Sequence, residues 1–218
     1  MRNDFYFQIK IAAAQVAYAK ALVEHSIQYH TVPNIWDNTE KVKETADLRF
    51  TGTLGEVVFA DTYGLARPTR SFGAADGQDL GKDFQLLVNG KVCNFDIKTM
   101  RRNTNLFYTG YVLNIPSSQL HKKHSLTDYY FHISIHPKTA NDTDLVASFV
   151  GFVSKEEIKN GVVGKFYPAG SWRTRKDGTK FQFHEDTYEV DLSDLTAPPL
   201  NDNIRQLNGF AMRHIRAK

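Results

Sequence analysis

The order of hydrophobic patterns along the chain predicts an α/β or α+β protein, with helices first and a sheet afterwards. Apolar residues recur at three- and four-residue steps within residues 4–30, which is the spacing of one helix face. After residue 83, short runs rich in β-branched and aromatic residues alternate with turn residues, as strands do. This order indicates helices packed on a mainly antiparallel or mixed sheet.

The first part of the chain carries signals for three helices. Pro33 and its polar neighbours should end the first helix, and a second should begin near Thr39. Thr53 is a candidate cap for a third helix that ends at Gly64. The glycines and aspartates of residues 73–81 predict a flexible loop before the sheet.

Asn89-Gly90 is the strongest local signal in the sequence. Both residues tolerate the positive φ that a two-residue type I′ turn requires, so the runs 84–88 and 91–98 should form a hairpin. Further strands are expected at 107–114, 129–136, 145–152 and 181–190. A short helix or turn is expected at 155–160, and a last helix from Asn201.

Length and composition are those of a globular protein. The 218 residues fit a single domain, with a helical region (1–50), a core (51–150) and a β-rich extension (151–218). Hydrophobic residues at 41% and charged residues at 23% argue against disorder. A net charge of +3 is weak support for a polyanionic partner.

The sequence predicts a cytoplasmic protein with no membrane partner. No apolar run approaches the roughly 20 residues of a membrane helix, and no apolar signal core follows Met1. The single cysteine, Cys93, excludes an internal disulfide framework. Because Cys93 alternates with Phe95 and Ile97, we expect it in the core.

The predicted hairpin gathers charged residues on one face. Its two-residue turn pairs Val88 with Lys91, which places Asp83 opposite Asp96 at roughly 5 Å between Cβ atoms. Lys98 follows on the same face because side chains alternate along a strand. Two opposed aspartates repel, and a divalent cation such as Mg²⁺ between them would reverse that interaction. Carboxylates, a metal and a lysine together suit phosphodiester hydrolysis.

Three segments carry a resemblance to a known family: Thr51-Gly52-Thr53-Leu54-Gly55-Glu56, Gly81-Lys82-Asp83-Phe84 and Phe95-Asp96-Ile97-Lys98-Thr99. Together they resemble the PD-(D/E)xK nuclease superfamily. The resemblance implies the restriction-endonuclease-like fold, a four-stranded mixed core sheet flanked by helices. It also implies that Asp83 and Asp96 bind Mg²⁺ (or Mn²⁺), with the backbone carbonyl of Ile97 as a further ligand. In the same pattern Lys98 is catalytic and Glu56 assists the metal site.

Two features of the sequence around Asp83 bear on this resemblance. Lys82 stands where the family name has proline, a position we expect to vary. Asp76 and Asp79 are rivals for the first metal ligand, but they lie in the glycine-rich loop. The hairpin register favours Asp83.

The resemblance implies a metal-dependent endonuclease that hydrolyses DNA phosphodiesters, with type II restriction endonucleases among the candidates. Cleavage of both strands of a duplex with one site per chain would favour a homodimer. The alternatives are a structure-selective repair or recombination nuclease, an RNA nuclease, and a non-catalytic nucleic-acid-binding protein of the same fold.

A second hairpin is a candidate DNA contact. Asp177-Gly178 predicts a tight turn that pairs Lys176 with Thr179. That register gives a basic face of Arg173, Arg175 and Lys180, and an aromatic face of Trp172, Phe181 and Phe183. A basic ribbon can contact backbone phosphates, although a solvated charged face is equally consistent with the pattern.

Histidines and the basic tail are weaker candidates. His121 and His124 flank two lysines, and we favour a solvated or DNA-facing basic cluster over a zinc site. His132 and His136 share one strand face at roughly 13 Å, too far apart to bind one metal ion. The basic residues 213–218 form a tail that is solvated or contacts nucleic acid.

Overall fold

The computed structural model describes residues 4–29, 39–69, 82–104, 110–137, 144–174 and 178–215, with the backbone alone at 26–29 and 39–45. The strands are β1 Phe5–Lys10, β2 Phe84–Val88, β3 Lys91–Arg101, β4 Val112–Pro116, β5 Tyr129–His136, β6 Val146–Ser154, β7 Lys165–Tyr167, β8 Trp172–Thr174, β9 Lys180–Gln182, β10 Thr187–Asp191 and β11 Ala211–His214. The helices are α1 Ala13–Tyr29, α2 Thr39–Tyr63, α3 Ser117–Leu120, α4 Lys155–Lys159 and α5 Asp202–Arg205, with a 3-10 turn at Leu192–Asp194. None of these helices is long and apolar enough to span a membrane.

A mixed sheet organises the molecule, in the strand order β11-β1-β6-β5-β3-β2. β3 and β5 run parallel, and the other neighbours in this sheet are antiparallel. A smaller antiparallel sheet has the order β4-β10-β7, and β8 pairs with β9. The predicted class, helices with a mixed sheet, is therefore confirmed at that level.

The central sheet is buried on both faces. One face packs on α1 and α2 through residues such as Phe95, Phe131 and Phe149. The other face packs on the small sheet through residues such as Tyr130 and Ile115. Residues 130–136 of β5 are consequently buried without interruption. Cys93 is a free thiol in the first of these cores, as predicted.

The predicted helix over residues 4–30 is wrong at its start. Residues 5–10 form β1, which pairs with both β6 and β11. Helix α1 begins only at Ala13, where the Gln15 side chain accepts a hydrogen bond from the Ala12 amide at 2.8 Å. The apolar spacing of Phe5 and Ile9 fits a helix, but pairing with two distant strands overrides that local preference. The N-terminal region is therefore not wholly helical.

Helix α2 is one continuous helix, not two. Thr53 lies in its middle, fully buried, and its hydroxyl has no hydrogen-bond partner within the described residues, so it caps nothing. Gly64 does end the helix, with φ of 67° and the neighbouring Leu65 amide bonded to Ala60 O at 2.8 Å. The predicted breaks at Pro33 and in the loop 73–81 lie outside the described residues.

The first hairpin forms as predicted. Asn89 and Gly90 have φ of 51° and 80°, and Val88 pairs with Lys91. β3 continues to Arg101 because it pairs with β5 along its second half. The strands predicted at 129–136 and 145–152 and the short helix at 155–160 are present with small shifts.

Other expectations need correction. The strand predicted at 107–114 is described only as Val112–Pro116, and the one at 181–190 is divided into β9 and β10. The last helix is a single turn, capped by the Asn201 side chain, which accepts from the Ile204 amide at 2.9 Å. A strand, β11, follows it and pairs with β1, so both ends of the described chain join the central sheet.

Helix α2 lies closely against β3 at Gly55. A Cβ at Gly55 would lie 1.8 Å from Thr99 Oγ1 and 2.7 Å from Thr99 Cβ. Rotation of the threonine cannot relieve the second contact, because Cβ is fixed to the backbone. A Cβ at Gly52, one turn earlier, would meet nothing within 4 Å.

We predict that Gly55→Ala lowers the free energy of unfolding by about 2–3 kcal/mol, because it overpacks this contact. Gly52→Ala is the matched control in the same helix. It should raise stability by about 0.5–1 kcal/mol, because alanine is the better helix former and meets no neighbour. Urea unfolding of both variants tests the contact, and equal effects would contradict it.

A polar row crosses the apolar interface between the two sheets. Ser148 accepts from Gln8 Nε2 at 2.9 Å, and Ser148 pairs in register with Ser134. Ser134 Oγ lies 3.1 Å from His132 Nε2, and Arg102 donates to that same ring nitrogen at 3.2 Å. Since arginine cannot accept a hydrogen bond, His132 Nε2 is the acceptor and the ring is neutral. Burial first, and the Arg102 charge second, hold the pKa of His132 well below its ordinary value of 6.5.

We predict that His132 makes folding stability sensitive to acid. Below pH 6.5 the unfolded chain gains a proton at His132 and the folded chain does not. The free energy of unfolding therefore decreases as the pH is lowered. His132→Gln should flatten that dependence by up to about 1.4 kcal/mol per pH unit. Thermal unfolding between neutral and mildly acidic pH measures it, and parallel curves for the two proteins would refute this explanation.

Candidate active site

A cleft of about 450 Å³ opens where α2, the β2–β3 hairpin and the β4–α3 segment meet. Its volume falls in the range of ordinary ligand sites. All four residues that the sequence singled out line it: Glu56, Asp83, Asp96 and Lys98. They come from three separate segments of the chain, so the fold, and not proximity in sequence, brings them together.

Alternation along β3 places Asp96 and Lys98 in the cleft. Phe95 and Ile97 are buried on the helix side, at 1% and 6% exposure, so the residues between and after them face the other way. Lys98 Nζ lies 2.8 Å from Asp96 Oδ1. Both side chains are mostly buried, at 22% and 15% exposure, so water screens this pair less than an ordinary surface ion pair.

Asp83 reaches the cleft by a different geometry from the predicted one. The ladder ends at the pair Phe84 and Phe95, and the Asp83 amide donates to Phe95 O at 2.9 Å, one residue out of register. Asp83 is therefore not a regular cross-strand partner of Asp96. Its carboxylate Oδ2 instead accepts a hydrogen bond from the Ile97 amide at 2.6 Å. Both aspartates still line the same cleft.

Glu56 is placed by the packing of α2. Its neighbours Val57 and Val58 are fully buried in the core, and Gly55 lies against Thr99 of β3. Glu56 itself is half-buried and lines the cleft beside Gly52 and Thr51 of the preceding turn. The helix that carries Glu56 is thus fixed directly to the strand that carries Asp96 and Lys98.

Tyr130 lies beside this group on the neighbouring strand. It pairs in register with Asp96, and Lys98 Nζ lies 5.6 Å from the centre of its ring. Burial, and then the negative charge of Asp96, raise the pKa of the Tyr130 phenol well above its ordinary value. The phenol therefore stays neutral and remains a hydrogen-bond donor at any physiological pH.

Buried polar atoms without partners surround the cleft. Within the described part of the chain, Thr99 Oγ1, Asn114 Oδ1 and Tyr130 Oη are buried and make no hydrogen bond. Thr99 and Asn114 line the cleft itself. Such atoms are uncommon in native proteins and call for water, an ion or a ligand. Thr99 and Asn114 therefore add polar atoms to the wall of the cleft.

The donor set fits a hard divalent cation by its chemistry. Three carboxylates and the Ile97 carbonyl are oxygen ligands of the kind that Mg²⁺ prefers. No three His, Cys, Asp or Glu side chains in the described ranges already form a metal-holding cluster. The Asp96 carboxylate is instead bound to Lys98. A cation would therefore need Asp96 to exchange one positive partner for another.

The predicted basic face of the second hairpin is wrong. Thr174 pairs with Lys180, so an odd number of residues separates the strands, whereas a two-residue turn requires an even number. Arg173 therefore pairs with Phe181 and lies on the opposite face from Lys180. Arg173 Nε forms an ion pair with the buried Glu189. Arg175 lies outside the described residues.

The aromatic face is also wrong in part. Trp172 is 65% exposed and does not anchor the hairpin to the core. Phe183 does, since it is buried and stacks on Tyr167 with ring centres 4.8 Å apart.

The weaker candidates divide between surface and interior. His121 and His124 are exposed and contribute no metal cluster among the residues described, which leaves the basic-cluster prediction open. His132 and His136 are buried between the sheets, so neither belongs to a solvated cluster.

Sequence reasoning missed the wall that faces Glu56. Asn114 of β4, Gln119 of α3 and Lys122 line that side of the cleft. Lys122 belongs to the basic stretch between His121 and His124, which was a usable signal. Asn114 and Gln119 carry no signal in the sequence, because only the pairing of β4 with β10 brings them over the hairpin.

The cleft brings three carboxylates and two lysines onto one surface. Metal-assisted hydrolysis of a phosphate ester uses carboxylates to hold the metal and positive charge to face the phosphate. No family model, curated protein or solved structure matches this chain.

Proposed function

We propose that this protein is a metal-dependent nuclease of the restriction-endonuclease-like fold that hydrolyses DNA phosphodiester bonds. The observation that carries the proposal is the convergence of Glu56, Asp83, Asp96 and Lys98 on one cleft. The order of the strands adds support. β2, β3, β5 and β6 form a mixed four-stranded set, with α2 before it in the chain, as the family resemblance implies.

Asp83, Asp96, Glu56 and the Ile97 carbonyl would hold the metal. A bound Mg²⁺ or Mn²⁺ would act as a Lewis acid and lower the pKa of an attacking water. The chain's own part is to keep these oxygens in place. The Ile97 amide holds the Asp83 carboxylate, and the buried neighbours of Glu56 hold its helix.

Lys98 has two partners in this proposal, used at different times. Without substrate it neutralises Asp96 at 2.8 Å. With substrate its ammonium would turn to a phosphate oxygen and stabilise the negative charge that develops there. The neutral Tyr130 ring beneath it limits the positions available to the ammonium. Lys122 on the opposite wall would add positive charge for the substrate strand.

We favour double-stranded DNA as substrate, with a homodimer to cut both strands, and restriction as one biological setting. A structure-selective repair nuclease and an RNA nuclease would use the same site. Sequencing the ends produced from a mixture of duplex DNA, branched DNA and RNA separates these possibilities.

We predict that Asp96→Asn and Lys98→Ala each lower the rate of Mg²⁺-dependent plasmid cleavage by about 10²–10³-fold. Losing a carboxylate removes a metal ligand, and losing the ammonium removes charge stabilisation at the phosphate. Plasmid nicking by proteins purified in parallel measures the rate, and a chelator should abolish it.

Asp202→Asn and Lys159→Ala are matched controls. They make the same chemical changes at exposed helix residues outside the cleft and should cut like the wild type. Wild-type cleavage by the Asp96 or Lys98 variant would end the proposed mechanism. Binding without any cleavage by the wild type would favour the non-catalytic alternative.

A further inference from the structure

Arg102 lies on the same side of β3 as the candidate active site. Side chains at 96, 98, 100 and 102 alternate with those at 95, 97, 99 and 101, so Arg102 continues the face of Asp96 and Lys98 just past the strand end at Arg101. Four residues of extended chain place it roughly 13 Å beyond Lys98. Its backbone amide donates to Ile135 O at 2.8 Å, which fixes it to the end of β5.

The Arg102 guanidinium is held in place by neutral groups. Its Nε donates to Ser134 Oγ at 3.2 Å, and its Nη2 donates to His132 Nε2 at 3.2 Å. The ring of Tyr111 lies 4.0 Å from its central carbon, in cation–π geometry. These contacts position the group but bring no negative charge to it.

Burial lowers the pKa of Arg102 to about 10, which leaves it cationic at neutral pH. No carboxylate among the described residues contacts it. Burying a positive charge without a negative partner lowers the stability of the fold, and a bound anion would compensate for that loss.

Two other arginines among the described residues are paired with carboxylates. Arg67 binds Asp61 through two hydrogen bonds of 2.7 Å. Arg173 is paired with the buried Glu189. Arg102 differs from both, because its contacts are an imidazole, a hydroxyl and an aromatic ring.

We propose that Arg102 binds a backbone phosphate of the substrate strand as that strand leaves the cleft. The inference rests on the nuclease assignment and extends it to a second anchoring point. Arginine suits a phosphate because its planar donors can engage two oxygens at once. Measured along the helix axis of B-form DNA, 13 Å corresponds to about four nucleotides of one strand. The bound phosphate therefore lies several nucleotides from the bond that is cut.

The test is a scan with neutral phosphates. A short fluorescein-labelled DNA duplex is prepared with one methylphosphonate at a time, and binding is measured by anisotropy with Mg²⁺ omitted. Wild-type protein should lose affinity roughly 10- to 100-fold at one position several nucleotides from the cut, the effect of a lost charged hydrogen bond. Arg102→Gln should show a similar loss on unmodified DNA and no further loss at that position.

Arg101→Gln is the matched control. Arg101 is the preceding residue, and its guanidinium lies over the Phe50 ring on the helix side of the sheet. This variant should keep the wild-type methylphosphonate profile. If Arg102→Gln does not fold, Arg102→Lys serves in its place, and it should weaken but not abolish the sensitivity at the same position.

Two results would overturn the proposal. One is a methylphosphonate profile that is the same in wild type and in the Arg102 variant. The other concerns thermal unfolding with and without inorganic phosphate. If phosphate stabilises the wild type but not the Arg102 variant, while both bind DNA equally, Arg102 binds a free anion and not the DNA backbone. Wild-type cleavage of the same duplex with Mg²⁺ is measured separately. If the wild type binds and cuts the duplex but the Arg102 variant has the same methylphosphonate profile, only the Arg102 proposal fails and the proposed nuclease function stands. If the wild type neither binds nor cuts the duplex, both proposals fail.

Discussion

The close contact between Gly55 of α2 and Thr99 of β3 sets the geometry on which the cleft depends. Only a residue without a side chain fits there, since a Cβ would lie 1.8 Å from Thr99 Oγ1. The contact brings the backbone of α2 against β3 just beyond Lys98. It therefore places Glu56, the next residue of the helix, on the same cleft as Asp96 and Lys98. A glycine in the middle of a helix lowers helix stability, and here that loss is tied to assembly of the site.

Charge compensation is the second constraint on the site. From the sequence, Asp83 and Asp96 were expected to repel each other across the hairpin. In the folded chain Lys98 neutralises Asp96, and the Ile97 amide supports the carboxylate of Asp83. Each aspartate thus has a favourable partner, and the cleft also holds the buried oxygens of Thr99 and Asn114, which make no hydrogen bond within the described part of the chain. A site of this kind can bind a cation if Lys98 is drawn away to an anion.

The sequence predicted the hairpin of β2 and β3 well, because Asn89-Gly90 fixes both its turn type and the register next to the turn. It failed where pairing is long-range. Residues 5–10 have a helix-like apolar spacing, but β6 and β11 recruit them as a strand. Asp177-Gly178 suggested a two-residue turn, yet Thr174 pairs with Lys180, so the β9 side chains lie on the opposite face from the predicted one relative to β8. The wall of Asn114 and Gln119 needed the position of the second sheet, which no local pattern contains.

Metal binding measured by calorimetry tests the central claim most directly, that these four side chains form one cation-dependent site. Mn²⁺ titrated into the wild-type protein should bind at one site, and Asp83→Asn or Asp96→Asn should each weaken that binding strongly. Lys98→Ala should bind Mn²⁺ at least as tightly as the wild type, because it removes the cation that competes for Asp96. No binding by the wild type, or binding as tight as the wild type's by both aspartate variants, would contradict the claim.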